Sequence, residues 1–200
     1  MIYDDRTYSI LVVSASDKFN ELLSSVLAQG AEGMYSPVVR AESVTLAKRE
    51  LLQRNFDMII VNSPLPDEQG INFAIDSCRD KSCVCLLIVR NEIFDEIHAQ
   101  VIGQGVFVLS KPLNAMILSR SVKWLESARE RLRSLEKKAS SVQEKMEEIR
   151  IVNRAKLVLI EKKGMSESEA HHFLEKQAMN NSVTRVSIAE KVIRLYQENA

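Results

Sequence analysis

Short apolar runs alternate with amphipathic helical patterns through the first half of the chain. Continuous apolar runs predict buried β-strands, and they lie at 9–13, 38–40, 56–61, 84–89 and 106–109. Helical periodicity follows each of the first four: one helix begins at Asp17, and others are predicted over 43–53, 70–78 and 93–102. Strands that alternate with helices pair in parallel and are covered on both faces. The pattern therefore predicts an α/β fold with a doubly wound, five-stranded parallel sheet.

A long helical pattern without Pro or Gly follows, from Asn114 to Arg154. Its a and d heptad positions are Leu118, Ser121, Leu125, Ala128, Leu132, Leu135, Ala139, Val142, Met146 and Ile149. Because nine of these ten are apolar, the pattern favours a coiled-coil linker helix that pairs with a second copy of the chain. The alternative is a single helix that packs on its own domain. Beyond about Arg131 no domain remains for it to pack on, so we expect the coiled coil.

Two further helices are predicted after the long one, which stops at Gly164. Ser166 and Glu169 have capping-box spacing, and their helix extends to about Met179. Ser187 is predicted to cap a last helix over 188–196. With the end of the long helix, these make a C-terminal three-helix bundle.

Composition and charge narrow the function classes. Lys plus Arg and Asp plus Glu number 27 each, so bulk charge attracts no particular partner. No segment reads as a secretion signal or a membrane span, and we expect a cytoplasmic protein. The chain has three cysteines, Cys78, Cys83 and Cys85. An odd number at this spacing does not suit a zinc site or a redox pair, and we therefore predict reduced thiols in the core. No carboxylate pair, nucleophile–base pair or phosphate loop indicates an enzyme, and no cofactor or metal is expected.

The first 125 residues resemble the receiver domain of bacterial response regulators. The resemblance rests on the segments 10–13, 56–62, 65–67, 103–105 and 110–113. It implies a flavodoxin-like sheet whose carboxyl edge holds magnesium on an acidic pair. It also implies that an aspartate ending the third strand accepts phosphate, helped by a hydroxyl residue and by a lysine before proline.

The chain departs from that pattern at most of these positions. Ser14 and Ala15 replace the acidic pair, Asn62 replaces the acceptor aspartate, and Val89 replaces the hydroxyl residue. The lysine and proline remain, at 111 and 112, and the resemblance suggests a cis bond between them. Because an amide is no carboxylate nucleophile, we expect a pseudo-receiver that is not phosphorylated in the usual way. A partner protein or a ligand would then control it. Lys111 has either a switching role or an ordinary solvated position.

Residues 146–196 resemble the ANTAR domain, an RNA-binding antiterminator module. The match includes Ala155–Lys156, Val158–Leu159, Gly164–Glu167, Glu169–Ala170, Leu174, Ala178–Met179, Val186 and Ile188–Ala189. It implies that two copies bind paired hairpins in leader transcripts and thereby stop a terminator from forming. Leu157 and His171 depart from the usual glycine and aromatic residue.

Phosphate contact by cations and contact with exposed bases are the chemistry this binding needs. The candidate RNA-binding residues are Arg150, Arg154, Lys156, Lys162, Lys163, His171, Lys176 and Arg185. Lys156 is favoured because it lies inside the best-matched segment. His171 and His172 have no third ligand at useful spacing for a metal.

The predicted organisation is a pseudo-receiver domain over 1–120, a coiled-coil linker over 121–145 and an ANTAR-like domain over 146–200. The predicted function is signal-responsive transcription antitermination by a homodimer that binds hairpin RNA. Two alternatives stay open: a DNA-binding response regulator, disfavoured by acidic residues on the last helix, and a protein-interaction scaffold, which suits the neutral charge.

Overall fold

The computed structural model describes residues 7–80 and 83–197. The strands are β1 (Tyr8–Val13), β2 (Tyr35–Ala41), β3 (Met58–Asn62), β4 (Val84–Val89) and β5 (Val106–Ser110). The α-helices are α1 (Asp17–Leu27), α2 (Val44–Gln53), α3 (Ile71–Asp80), α4 (Phe94–Val101), α5 (Ala115–Lys163), α6 (Glu167–Asn180) and α7 (Arg185–Gln197). Short 3₁₀ turns flank α4 at Asn91–Ile93 and Ile102–Gln104.

The five strands form one parallel sheet in the order β2-β1-β3-β4-β5. This confirms the predicted doubly wound α/β fold. Every residue of β3 and β4 is buried, because both strands are central and covered on both faces, which explains their uninterrupted apolar sequences. Strand β2 is longer than its three predicted residues, and as an edge strand with several exposed positions it gives a weaker hydrophobic signal.

Alternate residues of each strand supply the cores on the two faces of the sheet. Ile59 and Val61 of β3 face a cluster that includes residues of α2, α3 and α4. Met58 and Ile60 face the other cluster, with α1 and the first part of α5. The sheet is therefore packed on both sides, and its carboxyl edge stays available for a site.

Helix α5 supplies apolar residues to the second of these cores. Leu118 and Leu125 are fully buried there, and Ala128 and Leu132 pack against them. The first half of the predicted heptad stripe therefore packs on the domain itself, and assigning it to a coiled coil was wrong. Both intramolecular and intermolecular packing need the same periodic apolar positions.

The chain divides into two compact units, one up to Ser134 and one from Leu135. The second unit has its own core, built from the end of α5 with α6 and α7 around Ala155, Leu159, Leu174 and Ile188. The predicted domain limits, 1–120, 121–145 and 146–200, remain a prediction.

In the second unit, the predicted cap of α6 is confirmed and the predicted cap of α7 is wrong. Gly164 has φ +66° where α5 ends, a conformation that glycine adopts without strain. Ser166 and Glu169 form the predicted capping box of α6. The cap predicted at Ser187 was wrong, because α7 already begins at Arg185 and the Thr184 hydroxyl accepts the Ser187 N–H at 3.2 Å. No helix within the described residues is long and apolar enough to cross a bilayer.

Candidate functional sites

The residues predicted to replace a phosphorylation site meet at the carboxyl edge of the sheet. Ser14 follows β1, Asn62 ends β3, and Val89 ends β4 beside Ser110 of β5. Ser14, Asn62 and Val89 are all buried, whereas Ala15 is exposed. Parallel strands bring their carboxyl ends to one edge, which is why positions far apart in sequence converge here.

Hydrogen bonds hold this carboxyl-edge site, which we define as Ser14, Asn62, Ser63 and Lys111. The Asn62 Nδ2 group donates to Ser14 Oγ at 3.0 Å. The Lys111 ammonium donates to the Ser63 carbonyl oxygen at 2.6 Å, and the Lys111–Pro112 bond is cis, as the resemblance suggested. Burial, and then the charge of Arg90, hold the pKa of Lys111 below its ordinary value. The site is thus filled by amide, hydroxyl and ammonium groups.

One atom of this site has no partner within the described part of the chain. Asn62 Oδ1 is buried and accepts no hydrogen bond there. Such a group costs roughly 1–3 kcal/mol when it stays unsatisfied. Asn62 therefore holds its position through its amide nitrogen alone.

A second polar network lies where β1 and β3 begin, at the opposite edge of the sheet. Asp57 Oδ2 accepts hydrogen bonds from the Ser9 N–H and hydroxyl, both at 2.9 Å. Its Oδ1 accepts from Arg129 Nε at 2.9 Å and from an Arg133 guanidinium nitrogen at 2.7 Å. Burial alone would raise the pKa of Asp57, but these hydrogen bonds lower it overall. Asp57 therefore anchors α5 to the sheet with a paired, largely covered charge.

Two tyrosines continue this anchor along α5. The Tyr8 hydroxyl donates to Glu130 at 3.1 Å, and the Tyr35 hydroxyl donates to Glu126. The Arg133 guanidinium lies 5.1 Å from the centre of the Tyr8 ring. Burial, with the Glu130 hydrogen bond second, raises the pKa of Tyr8 to about 12. These contacts were not predicted, because no periodicity marks pairs separated by some ninety residues or more.

The three cysteines also come together, which the sequence reading did not anticipate. Cys78 lies on α3, Cys83 precedes β4, and Cys85 belongs to β4. Cys83 and Cys85 are buried and Cys78 is partly exposed. The spacing of Cys83 and Cys85, two residues apart at the start of an extended apolar segment, was the signal that their side chains share one face.

The second unit carries an open cleft where α5 ends and α6 begins. Its lining residues are Lys163, Gly164, Met165, Ser168, Glu169, His172, Phe173 and Lys176. The cleft has a volume of about 580 Å³, and the Lys163 ammonium lies 5.2 Å from the centre of the Phe173 ring. A cation and an aromatic ring therefore lie together at the wall of the cleft.

Comparison with known families assigns the second unit. Residues 140–193 match the ANTAR domain family, and this range covers most of the packed core of α5, α6 and α7. The chain joins a receiver fold to a C-terminal ANTAR domain.

Relatives and solved structures agree with this organisation. The transcriptional regulatory protein PdtaR of two Mycobacterium tuberculosis strains is 23% identical over 137 residues, which are 68% of this chain and 67% of the relative. A receiver domain of an HD-domain protein from Pseudomonas fluorescens Pf-5 has a TM-score of 0.57 at 20% identity. The likeness covers 67% of this chain and 97% of that one.

A receiver-domain protein from Clostridium thermocellum has a TM-score of 0.53 at 18% identity, over 64% of this chain and 98% of that one. These likenesses establish the receiver fold. Together with the ANTAR match over 140–193, they describe a receiver fold followed by an ANTAR-like C-terminal unit.

The predicted RNA-binding residues of the ANTAR domain have different surroundings. Most are exposed: Arg150, Arg154, Lys162, Lys163, His171, Lys176 and Arg185. Lys156, the favoured residue, has a side chain only 15% exposed, and its ammonium donates to Glu167 at 3.1 Å. His171 and Arg185 both contact Glu175, at 3.3 and 3.2 Å. Lys163 and Lys176 alone among the candidates line the cleft.

No metal site emerges from this arrangement. Within residues 7–80 and 83–197, no group of three His, Cys, Asp or Glu side chains is placed to hold a metal ion. His171 instead contacts the carboxylate of Glu175 on its own helix.

Proposed function

We propose that the protein is a signal-responsive antitermination regulator whose ANTAR domain binds paired RNA hairpins in leader transcripts. The observation that carries the proposal is the ANTAR match over 140–193, on a unit with a complete apolar core of its own. A packed three-helix unit presents its polar surface in a fixed arrangement, which is what recognition of a folded RNA loop requires.

The cleft at the α5–α6 junction is the surface we assign to the RNA loop. Lys163 and Lys176 supply cations for phosphates, and Phe173 supplies a ring on which a splayed base can stack. Arg150, Arg154, Lys162, His171 and Arg185 would contribute further backbone contacts. Lys156 joins them only if its ion pair with Glu167 opens, so we expect it to contribute less than Lys163.

The test is binding of the full chain to an RNA with two adjacent hairpins, measured over a salt series. Each lost phosphate contact reduces the slope of log affinity against log salt by roughly 0.7–0.9. Lys163→Ala combined with Lys176→Ala should therefore flatten the slope by about 1.5. Lys191→Ala, an exposed lysine of α7 outside the cleft, is the matched control and should leave the slope unchanged.

Two results would contradict the proposal. One is an affinity that does not distinguish the hairpin pair from an unstructured RNA of equal length. The other is an equal loss of slope in the Lys191 control, which would mean that binding follows total charge and not the cleft.

We further propose that a second copy of the chain covers the exposed part of the heptad stripe. Leu135, Val142, Met146 and Ile149 are 49–66% exposed, and with Ala139 they keep strict a and d spacing. An apolar stripe of this period on a helix face is best covered by another helix of the same kind. Two ANTAR domains would then be available for two hairpins.

Sedimentation equilibrium tests this dimer. Val142→Glu adds a charge within the stripe and should give a monomer. Ser141→Glu adds the same charge at an exposed position outside the stripe, and it should leave the dimer intact. A wild-type chain that stays monomeric at concentrations where it binds RNA would refute the arrangement.

The carboxyl-edge site supports control without aspartyl phosphorylation. Asn62 offers an amide where a carboxylate nucleophile is needed, and Ser14 and Ala15 supply no anionic ligands for magnesium. A partner protein or a ligand acting on the receiver unit would then supply the signal. Incubation with acetyl phosphate and magnesium should leave the mass of the wild-type chain unchanged, and a stable phosphoryl adduct on residues 7–134 would overturn this part.

A further inference from the structure

The thiol cluster, defined as Cys78, Cys83 and Cys85, lies between α3 and β4 in the receiver unit. Cys83 and Cys85 are two residues apart, so both side chains face the core that contains α3. Cys78 packs against that core from the last turns of α3. It is the partly exposed member, whereas the other two are buried. One thiol is thus accessible to a small solute, with two covered thiols behind it.

The thiols of Cys83 and Cys85 lie close enough to Cys78 to change its pKa. Interaction with the Cys83 thiol, and next with the Cys85 thiol, lowers the pKa of Cys78 against the opposing effect of burial. The Cys78 hydrogen bond, and then burial, raise the pKa of Cys85. The Cys83 thiol donates to the carbonyl oxygen of Ser77, the residue next to Cys78, at 3.2 Å. Cys78 is therefore the thiol whose ionised form is stabilised, and the thiolate is the form that reacts with oxidants.

We propose that this cluster is an oxidation site, at which a hydroperoxide converts Cys78 and Cys83 into an intramolecular disulfide. The Cys78 thiolate attacks one peroxide oxygen, the O–O bond breaks, and the remaining fragment leaves as an alcohol or as water after taking a proton. Cys78 becomes a sulfenic acid. The Cys83 sulfur then attacks the Cys78 sulfur, the S–S bond forms, and the hydroxyl group leaves as water. Two thiols lose two protons and two electrons, and the hydroperoxide is reduced.

Cys83 is a better resolving thiol than Cys85, because the two differ in backbone freedom. Cys85 is paired on both sides within the sheet, with Ile59 of β3 and Val106 of β5. Cys83 precedes β4 and belongs to no strand. A disulfide demands a narrow range of Cα separations and torsion angles, and a residue outside the ladder can adjust to them without breaking sheet hydrogen bonds.

The test uses the reduced full chain with hydrogen peroxide, followed by intact mass and a non-reducing tryptic map. The chain has Arg79 and Lys81 between the two cysteines, so the bond would join two tryptic peptides. We expect the mass to fall by two hydrogens, the two peptides to be linked, and dithiothreitol to reverse both changes. Cys85→Ala should still form the link between residues 78 and 83, whereas Cys78→Ala and Cys83→Ala should not form it.

A second measurement keeps the proposal falsifiable if a variant fails to fold. Limited alkylation of the native wild-type chain with iodoacetamide should modify Cys78 first, and prior peroxide treatment should abolish this labelling. Three thiols that stay reduced under peroxide would overturn the proposal. So would a sulfinic acid on Cys78 without a disulfide, or a bond between two chains.

Discussion

Replacing Asp57 by asparagine tests whether charge anchors α5 to the sheet. Among the described residues, the carboxylate accepts two hydrogen bonds from Ser9 and others from Arg129 and Arg133. Asparagine keeps the size of the side chain but replaces one acceptor oxygen by an NH₂ group. That group must face either the Ser9 donors or the guanidinium donors, so donors meet donors on one side.

The expected loss follows from how well these groups are covered. The Asp57 side chain is 16% exposed, and those of Arg129 and Arg133 are 11% and 27% exposed. Breaking a fully buried ion pair costs roughly 3–5 kcal/mol. Arg133 keeps its 2.8 Å contact with Glu130, and these side chains are only partly buried. We therefore expect Asp57→Asn to destabilise the receiver unit by about 2–3 kcal/mol.

The dependence on pH has a definite sign. Because the folded-state pKa of Asp57 is lowered, its stabilisation is present above the unfolded value of about 3.9 and is lost as the pH falls through the folded value. The gap between wild type and variant should be constant at neutral pH. It should shrink below about pH 4.

Urea unfolding measured by fluorescence gives the readout, since Trp124 is the single tryptophan and lies on α5 within the receiver unit. Asp76→Asn, at an exposed position of α3, removes the same charge and serves as the control. A change within about 0.5 kcal/mol for Asp57→Asn, the range of an ordinary surface substitution, would refute the anchor.

Three further substitutions test other contacts. Tyr8→Phe should reduce the loss of stability that the wild type shows between about pH 10 and pH 12, measured by unfolding at alkaline pH. The pKa of Tyr8 is raised in the folded state, so its stabilisation is present below the pKa of the unfolded chain and is lost as the pH rises through the folded-state pKa. Ser166→Ala should destabilise the ANTAR domain by about 1 kcal/mol through loss of the capping box, seen in its thermal unfolding. Gly70→Ala should cost more than about 1 kcal/mol in urea, since φ is +76° and the new methyl would lie 2.8 Å from Val61.

The sheet was predictable because each of its strands is a local signal. Strand β4 was predicted with its observed bounds, Val84–Val89, since six consecutive buried residues leave no polar interruption. The α6 cap was equally readable, because Ser166 and Glu169 act on each other within one helical turn. The α7 start was missed: Thr184 and Ser187 are both good caps, and sequence alone does not choose between them.

The Asp57 network was not predicted because its members are far apart in sequence. Asp57 follows Phe56, and the sequence shows it only as a charge at the start of an apolar run. Its partners Arg129 and Arg133 lie 72 and 76 residues away. The thiol cluster is different, because its residues are close in sequence and only the packing of α3 against β4 brings Cys78 to the other two.

The heptad stripe of α5 shows the limit of periodicity most directly. The stripe keeps its spacing from Leu118 to Ile149, with Ser121 as its one polar member, yet its first half is buried in the receiver core and its second half is exposed. The spacing of apolar residues indicates that a helix face is covered, but it does not identify the element or chain that covers it. The polar positions carry that information, because Arg129 and Arg133 require an acidic partner and the sheet supplies Asp57 beside them.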